Sequence, residues 1–125
     1  MLNMSFWLTT KQCRDKTKDV TRRIGWSNLK AGDLVQQVVK GQGLKKGESI
    51  EKIHGIRIIS TRWEPLKRLT DDLDYGFAET AREGFPEGTP NSWPSVFVEF
   101  FCNTHHCVPE KKVNRIEFEY VREEK

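Results

Sequence analysis

The run at residues 53–63 constrains the fold most. It is rich in β-branched residues, and Ile56 and Ile58 fall on one face with Arg57 on the other. That two-residue period is the mark of a half-buried strand. Pro65 ends the run, since proline has no N–H for a ladder. Gly55 predicts a bulge or a close backbone approach. Residues 34–39 are also β-rich. Residues 113–121 predict the last strand, with Ile116, Phe118 and Tyr120 inward and Glu117 and Glu119 outward. Residues 4–8 read as a short strand, and residues 20–24 as an extended segment ended by Gly25.

Short helices separate these strands. Thr9 or Thr10 offers an N-cap for a turn through Cys13. A helical turn is expected at residues 66–69, with Thr70 or Asp71 capping another. Residues 74–83 predict a helix closed by Gly84. Ser92 caps a further helix, with Pro94 in its first turn. In that helix Trp93, Val96, Phe97, Phe100 and Phe101 share one face, which predicts a core stripe. Strands interrupted by short helices imply an α+β fold built on a small mixed β-barrel.

At 125 residues, 36% hydrophobic and 31% charged, the chain suits one domain over residues 1–125 with a core that needs no staples. A net charge of +3 permits nucleic acid without requiring it. Three cysteines, an odd count, argue against a disulfide framework. Residues 1–8 are too short and uncharged for a signal peptide, and no apolar run is long enough to span a membrane. A soluble cytoplasmic protein with no membrane contact is expected, ending in a charged tail at residues 122–125.

Residues 17–26 gather Lys18, Arg22, Arg23, two threonine hydroxyls, Asp19 and the Gly25-Trp26 pair. Cations meet phosphate and an indole stacks on a base, so the stretch suits a flat anionic ligand. Read plainly, it is a solvated turn beside a core tryptophan. Lys30, Arg62 and Trp63 extend the same basic and aromatic character. Residues 40–48 form a glycine- and lysine-rich loop. It lacks the Ser or Thr after Gly-Lys that a phosphate-binding P-loop needs. It reads either as a hairpin loop or as a basic arm over a nucleic-acid groove or an acidic protein.

Lys18-x-x-Thr21-Arg22-Arg23, then Lys30-x-Gly32-Asp33, then Arg82-Glu83-Gly84-Phe85 appear in this order. Together they resemble the ASCH domain, a branch of the PUA-like β-barrel superfamily. The resemblance runs to the strand at residues 114–118. It implies a small nucleic-acid-linked domain with a cleft, and some relatives remove the acyl group of N4-acetylcytidine. In those relatives a Lys-x-x-Thr pair and a distant Glu carry the site. Lys18 and Thr21 match the pair, and Glu83 matches the Glu, with Glu79 as the alternative. Other ASCH-like proteins imply a ribonuclease, in which Lys18 and the arginines would stabilise a developing phosphorane charge.

The chemistry of the trio is coherent. A hydroxyl is a weak nucleophile until a base takes its proton, and a lysine can be that base when burial and neighbouring cations lower its pKa. A carboxylic acid then protonates the leaving nitrogen. Residues three apart on a regular strand point to opposite faces, so Lys18 and Thr21 converge only if the backbone turns between them. Cys102, His105, His106 and Cys107 resemble zinc ligands but are too tightly spaced to close a tetrahedron without Cys13 or His54. No metal and no cofactor are expected. The expected partner is RNA or a modified nucleoside, with no obligate protein partner. Arg22, Arg23, Trp26, Lys30, Arg62 and Trp63 would form the binding cleft. The alternative is a small amidohydrolase or ribonuclease using Lys18, Thr21 and Glu83.

Overall fold

In a computed structural model, which describes residues 1–122, the strands form one sheet in the order β1-β3-β4-β5-β2. They are β1 (Leu2–Ser5), β2 (Val20–Arg23), β3 (Leu34–Val38), β4 (Lys52–Pro65) and β5 (Lys112–Tyr120). β1 runs parallel to β3, and the other neighbours are antiparallel. The sheet curls into a half-barrel. With α1 (Thr10–Arg14), α2 (Arg68–Asp71), α3 (Leu73–Arg82) and α4 (Pro94–His105) it makes a mixed α+β fold. Among the described residues, no helix is long and apolar enough to cross a membrane. Of the expected charged tail, residues 123–125 lie outside the described residues.

Alternation along β5 sets the layers. Ile116 and Phe118 point into the curl, where they join Met4, Phe6, Val35, Ile56 and Ile58. Val113 points the other way, into a second core with Leu66, Leu69 of α2, and Phe97, Val98 and Phe101 from α4. Each such side chain contributes roughly 1.5–3 kcal/mol by leaving water.

Two register slips bend β4. Gln36 faces Gly55 while Val38 faces Lys52, so Ile53 and His54 together oppose the single residue Gln37. This irregularity adjoins Gly55, where the sequence predicts one. Farther along, Ile58 faces Phe118 and Ser60 faces Glu117, which leaves Ile59 extra and turned outward. Extra residues of this kind raise local twist and let a long strand curl.

The N-terminal strand lies earlier than expected. β1 ends at Ser5 because β3 ends at Val38, whose carbonyl takes the last bond from the Phe6 N–H at 2.9 Å. Residues 7–9 turn instead into a 3₁₀ segment, with Trp7 and Leu8 exposed. The α4 stripe is also rotated. Pro94, Phe97, Val98 and Phe101 are buried, whereas Trp93, Val96 and Phe100 are more than a third exposed. Both sets repeat at helical spacing, so periodicity alone does not choose between them.

α3 is capped by Asp72, which accepts from the Tyr75 N–H, and not by Thr70 or Asp71. Two glycines fix its position. A Cβ on Gly76 would sit 2.0 Å from the Leu69 carbonyl oxygen, so only glycine lets α3 approach α2 this closely. Gly84, at φ +102, ends the helix and packs on Gln12. That ending delivers Glu83 to the edge of β2.

A candidate active-site cleft at the sheet edge

β2 distributes its side chains by strand alternation. Thr21 faces Ile116 and Arg23 faces Asn114, so both belong to the inner side of the curl. Arg22 faces Arg115 and belongs to the side covered by α3. Lys18 precedes the strand. The neighbouring Asp19 donates its N–H to the Arg82 carbonyl and accepts from Phe118 N–H, each at 3.0 Å. Lys18 therefore escapes strict alternation, and it lines the same cleft as Thr21.

Glu83 joins the two sides. Lys18 Nζ donates to its Oε1 at 2.7 Å and to its backbone carbonyl at 3.0 Å. Arg22 Nη1 donates to the other carboxylate oxygen at 3.0 Å. Arg22 Nη2 also donates to Glu79 at 2.5 Å and to Glu64 at 3.4 Å. Arg115 grips Glu79 with two bonds, and the Tyr75 hydroxyl donates to Glu64 at 2.8 Å. These charges are almost fully buried: Lys18 is 2% exposed, and Arg22 and Glu83 are 3% exposed.

Burial at this depth penalises every isolated charge, so the network stands only because each carboxylate has a cationic partner. Burial pushes the Lys18 ammonium below its ordinary value, Arg23 adds to the push, and Glu83 opposes it. Burial also acts against the Arg22 cation, but Glu83 and Glu79 more than reverse this and hold it above its ordinary value. Burial brings Arg23 down to about 10 against the pull of Glu83. Arg23 makes no ion pair among the described residues. Its Nε donates to the Thr21 hydroxyl at 3.1 Å, and its guanidinium lies 4.7 Å over the Phe6 ring.

The cleft above this floor encloses about 290 Å³. Phe6 and Trp7 line it, as do Phe100, Phe101 and His105 from α4. The His105 ring lies 4.2 Å from that of Phe101. A flat ligand in the cleft would meet aromatic rings together with the Lys18, Thr21 and Glu83 side chains. A larger hollow of about 630 Å³ beside Phe77 and Trp93 has Glu87 as its one ionisable lining residue, and offers no comparable chemistry.

The structure brings together Lys18, Thr21, Arg22, Arg23 and Glu83, and separates them from the other expected site residues. Trp26 adopts φ 65, packs against the inner core and borders a different hollow with Leu29 and Asp33. The break at Gly25 and this left-handed residue carry the chain away from the cleft. Lys30 is exposed, and its N–H serves the turn by donating to Asp33. Arg62 is occupied by Glu64 and Tyr75, and Trp63 is 46% exposed, both outside the cleft. Glu79 is committed to Arg22 and Arg115 and does not line the cleft.

Arg22 lines the floor, but its terminal N–H groups are engaged by carboxylates, so its part is structural as much as ligand-facing. Sequence reasoning missed the α4 wall, whose signal was the very aromatic stripe assigned to the core. It also missed Glu64, Tyr75 and Arg115, which carry no local signal. In the Cys102–Cys107 segment, no group of three or more His, Cys, Asp or Glu side chains is arranged to hold a metal ion among the described residues. Comparison with protein-family models, curated proteins and solved structures finds no match to this chain.

Proposed function

We propose that the chain is an ASCH-type, PUA-like domain whose cleft takes the base of a modified cytidine and hydrolyses its N4-acyl group. The observation that carries this reading is the 2.7 Å contact between Lys18 Nζ and the Glu83 carboxylate, in a cleft that Thr21 also lines. One proton shifted along that contact turns an ion pair into an amine and a carboxylic acid. Those are the base and the acid that the reaction requires.

In this mechanism Lys18 takes the Thr21 proton as the hydroxyl oxygen bonds to the acyl carbon. The C–N bond breaks, and Glu83 supplies the proton to the departing cytidine nitrogen. Water then hydrolyses the threonine ester and releases the carboxylic acid. Arg23, beside the Thr21 oxygen, is suited to stabilise the oxyanion that forms on the acyl oxygen.

A binding module without chemistry is the second reading. The aromatic walls and the unpaired Arg23 favour it, since both suit a flat, electron-rich base. Recognition of RNA through phosphates, and a ribonuclease, are less supported, because Lys18 is bonded to the Glu83 carboxylate and backbone carbonyl and the terminal nitrogens of Arg22 are bonded to carboxylates.

Incubation with N4-acetylcytidine, followed by chromatography for cytidine, tests the proposal. The wild-type protein should release cytidine and acetate. Lys18→Ala and Thr21→Ala should abolish release while a thermal shift by the ligand persists. A ligand-induced shift with no turnover by the wild-type protein would establish the binding module instead. Turnover that survives Thr21→Ala would remove Thr21 as the nucleophile.

A further inference from the structure

The C-terminus of α4 brings two thiols together by backbone geometry. His106 is left-handed, with φ 53 and ψ 50, and the Cys107 N–H donates to the Cys102 carbonyl at 3.1 Å. A six-to-one bond around a left-handed residue is the closing bond of a Schellman turn. Such a turn sets the two residues it joins in side-chain contact. Apolar side chains usually fill those positions. Here they hold Cys102 and Cys107, whose Sγ atoms are 3.9 Å apart. Both are partly buried against the outer core.

We propose that Cys102 and Cys107 are a modification site, forming a reversible intrachain disulfide by exchange with a low-molecular-weight disulfide such as oxidised glutathione. The sulfurs are already in contact, and a disulfide brings them to about 2.04 Å. The thiolate of one cysteine attacks the small disulfide, forming a mixed disulfide and releasing one small thiol. The second cysteine then attacks the protein-side sulfur, closing the ring and releasing the second small thiol. Two protein thiols are oxidised and one small disulfide is reduced.

Burial holds the Cys102 thiol at about 11, which makes the exchange quicken as pH rises. Cys13 does not compete, since it is fully buried in the inner core. An odd cysteine count speaks against a permanent framework but leaves room for one reversible pair. The closed ring contains His105, so oxidation would fix one wall of the cleft.

The full chain is equilibrated with graded ratios of reduced to oxidised glutathione, quenched in acid, and read by intact mass and peptide mapping. The expected product is lighter by about 2 Da. Two of its three thiols should resist alkylation, and a peptide should link Cys102 to Cys107. Cys107→Ser should stop at a glutathione adduct on Cys102. Three free thiols at every ratio, adducts without a cross-link in the wild-type chain, or a bond to Cys13 would each overturn the proposal. The wild-type measurement decides the matter even if the variant fails to fold.

Discussion

Arg22 and Arg23 are adjacent in sequence and opposite in environment. Arg22 enters a region dense with carboxylates between β2 and α3, where Glu64, Glu79 and Glu83 surround it. Arg23 enters the inner side of the curl, where it meets a hydroxyl and a phenyl ring. Strand alternation alone divides them. The first region satisfies its charges internally and serves the fold. The second leaves a cation without a counterion beside a cleft, and so retains electrostatic potential that a ligand can use. A basic run in a sequence is therefore no measure of the charge available for binding, since alternate residues can be spent on opposite tasks.

The sharpest way to break this contrast is Arg22→Met. It removes the buried cation shared by Glu64, Glu79 and Glu83, which are left with Arg62 and Arg68, Arg115 and Lys18 respectively, and should cost about 3–5 kcal/mol in urea unfolding. A loss below about 1 kcal/mol, the value of an exposed pair, would show that the region is not interdependent.

Acid should probe the same region more gently. Burial works to raise the Glu79 carboxyl, but hydrogen bonds from Arg115 and the charge of Arg22 prevail and hold it at about 2, below its ordinary 4.5. A carboxyl depressed by folding stabilises the protein above its unfolded-state value, and that contribution disappears as pH falls through the folded value. The urea midpoint should therefore drop between about pH 4.5 and pH 2, and Glu79→Gln should flatten the decline.

The smallest effect belongs to the other region. Arg23→Met removes a cation whose burial is offset only by the Thr21 hydroxyl, the Phe6 ring and the pull of Glu83, so stability should change by less than about 1 kcal/mol. The thermal shift given by N4-acetylcytidine should nevertheless fall. A large stability loss with ligand binding intact would reverse the roles assigned to the two arginines.

Much of the fold was legible because its signals are local. Ile56 and Ile58 announced β4, and Gly84 announced the end of α3 and with it the place of Glu83. The site was legible where motif order placed Lys18, Thr21 and Glu83 in one cleft. It was illegible where long-range pairing decides. Nothing near Glu64 or Arg115 says that each will meet a charge from another element. Nothing in the aromatic run of α4 says that Phe100 faces a cleft while Val98 faces the core. Trp26 lies away from the cleft for a different reason. Its neighbours suggested a ligand, but its own left-handed backbone set its direction, and φ is not written in residue type when the residue is not glycine.

The sheet order also has a consequence for the time course of assembly. β2 is an edge strand, and its one neighbour in the sheet is β5. Thr21 pairs with Ile116 across most of the chain, and Arg115 on β5 holds Glu79. During synthesis the N-terminal strands leave the ribosome long before their partner exists. Until β5 arrives, β2 has no ladder, Glu79 lacks one of its cations, and the inner core stands open. Pairing over such sequence distance is slow, and the waiting chain exposes apolar surface. A ribosome that stalls before residue 112 would thus hold a chain with every cleft-lining side chain but without the strand that sets Thr21 and Arg23 in place.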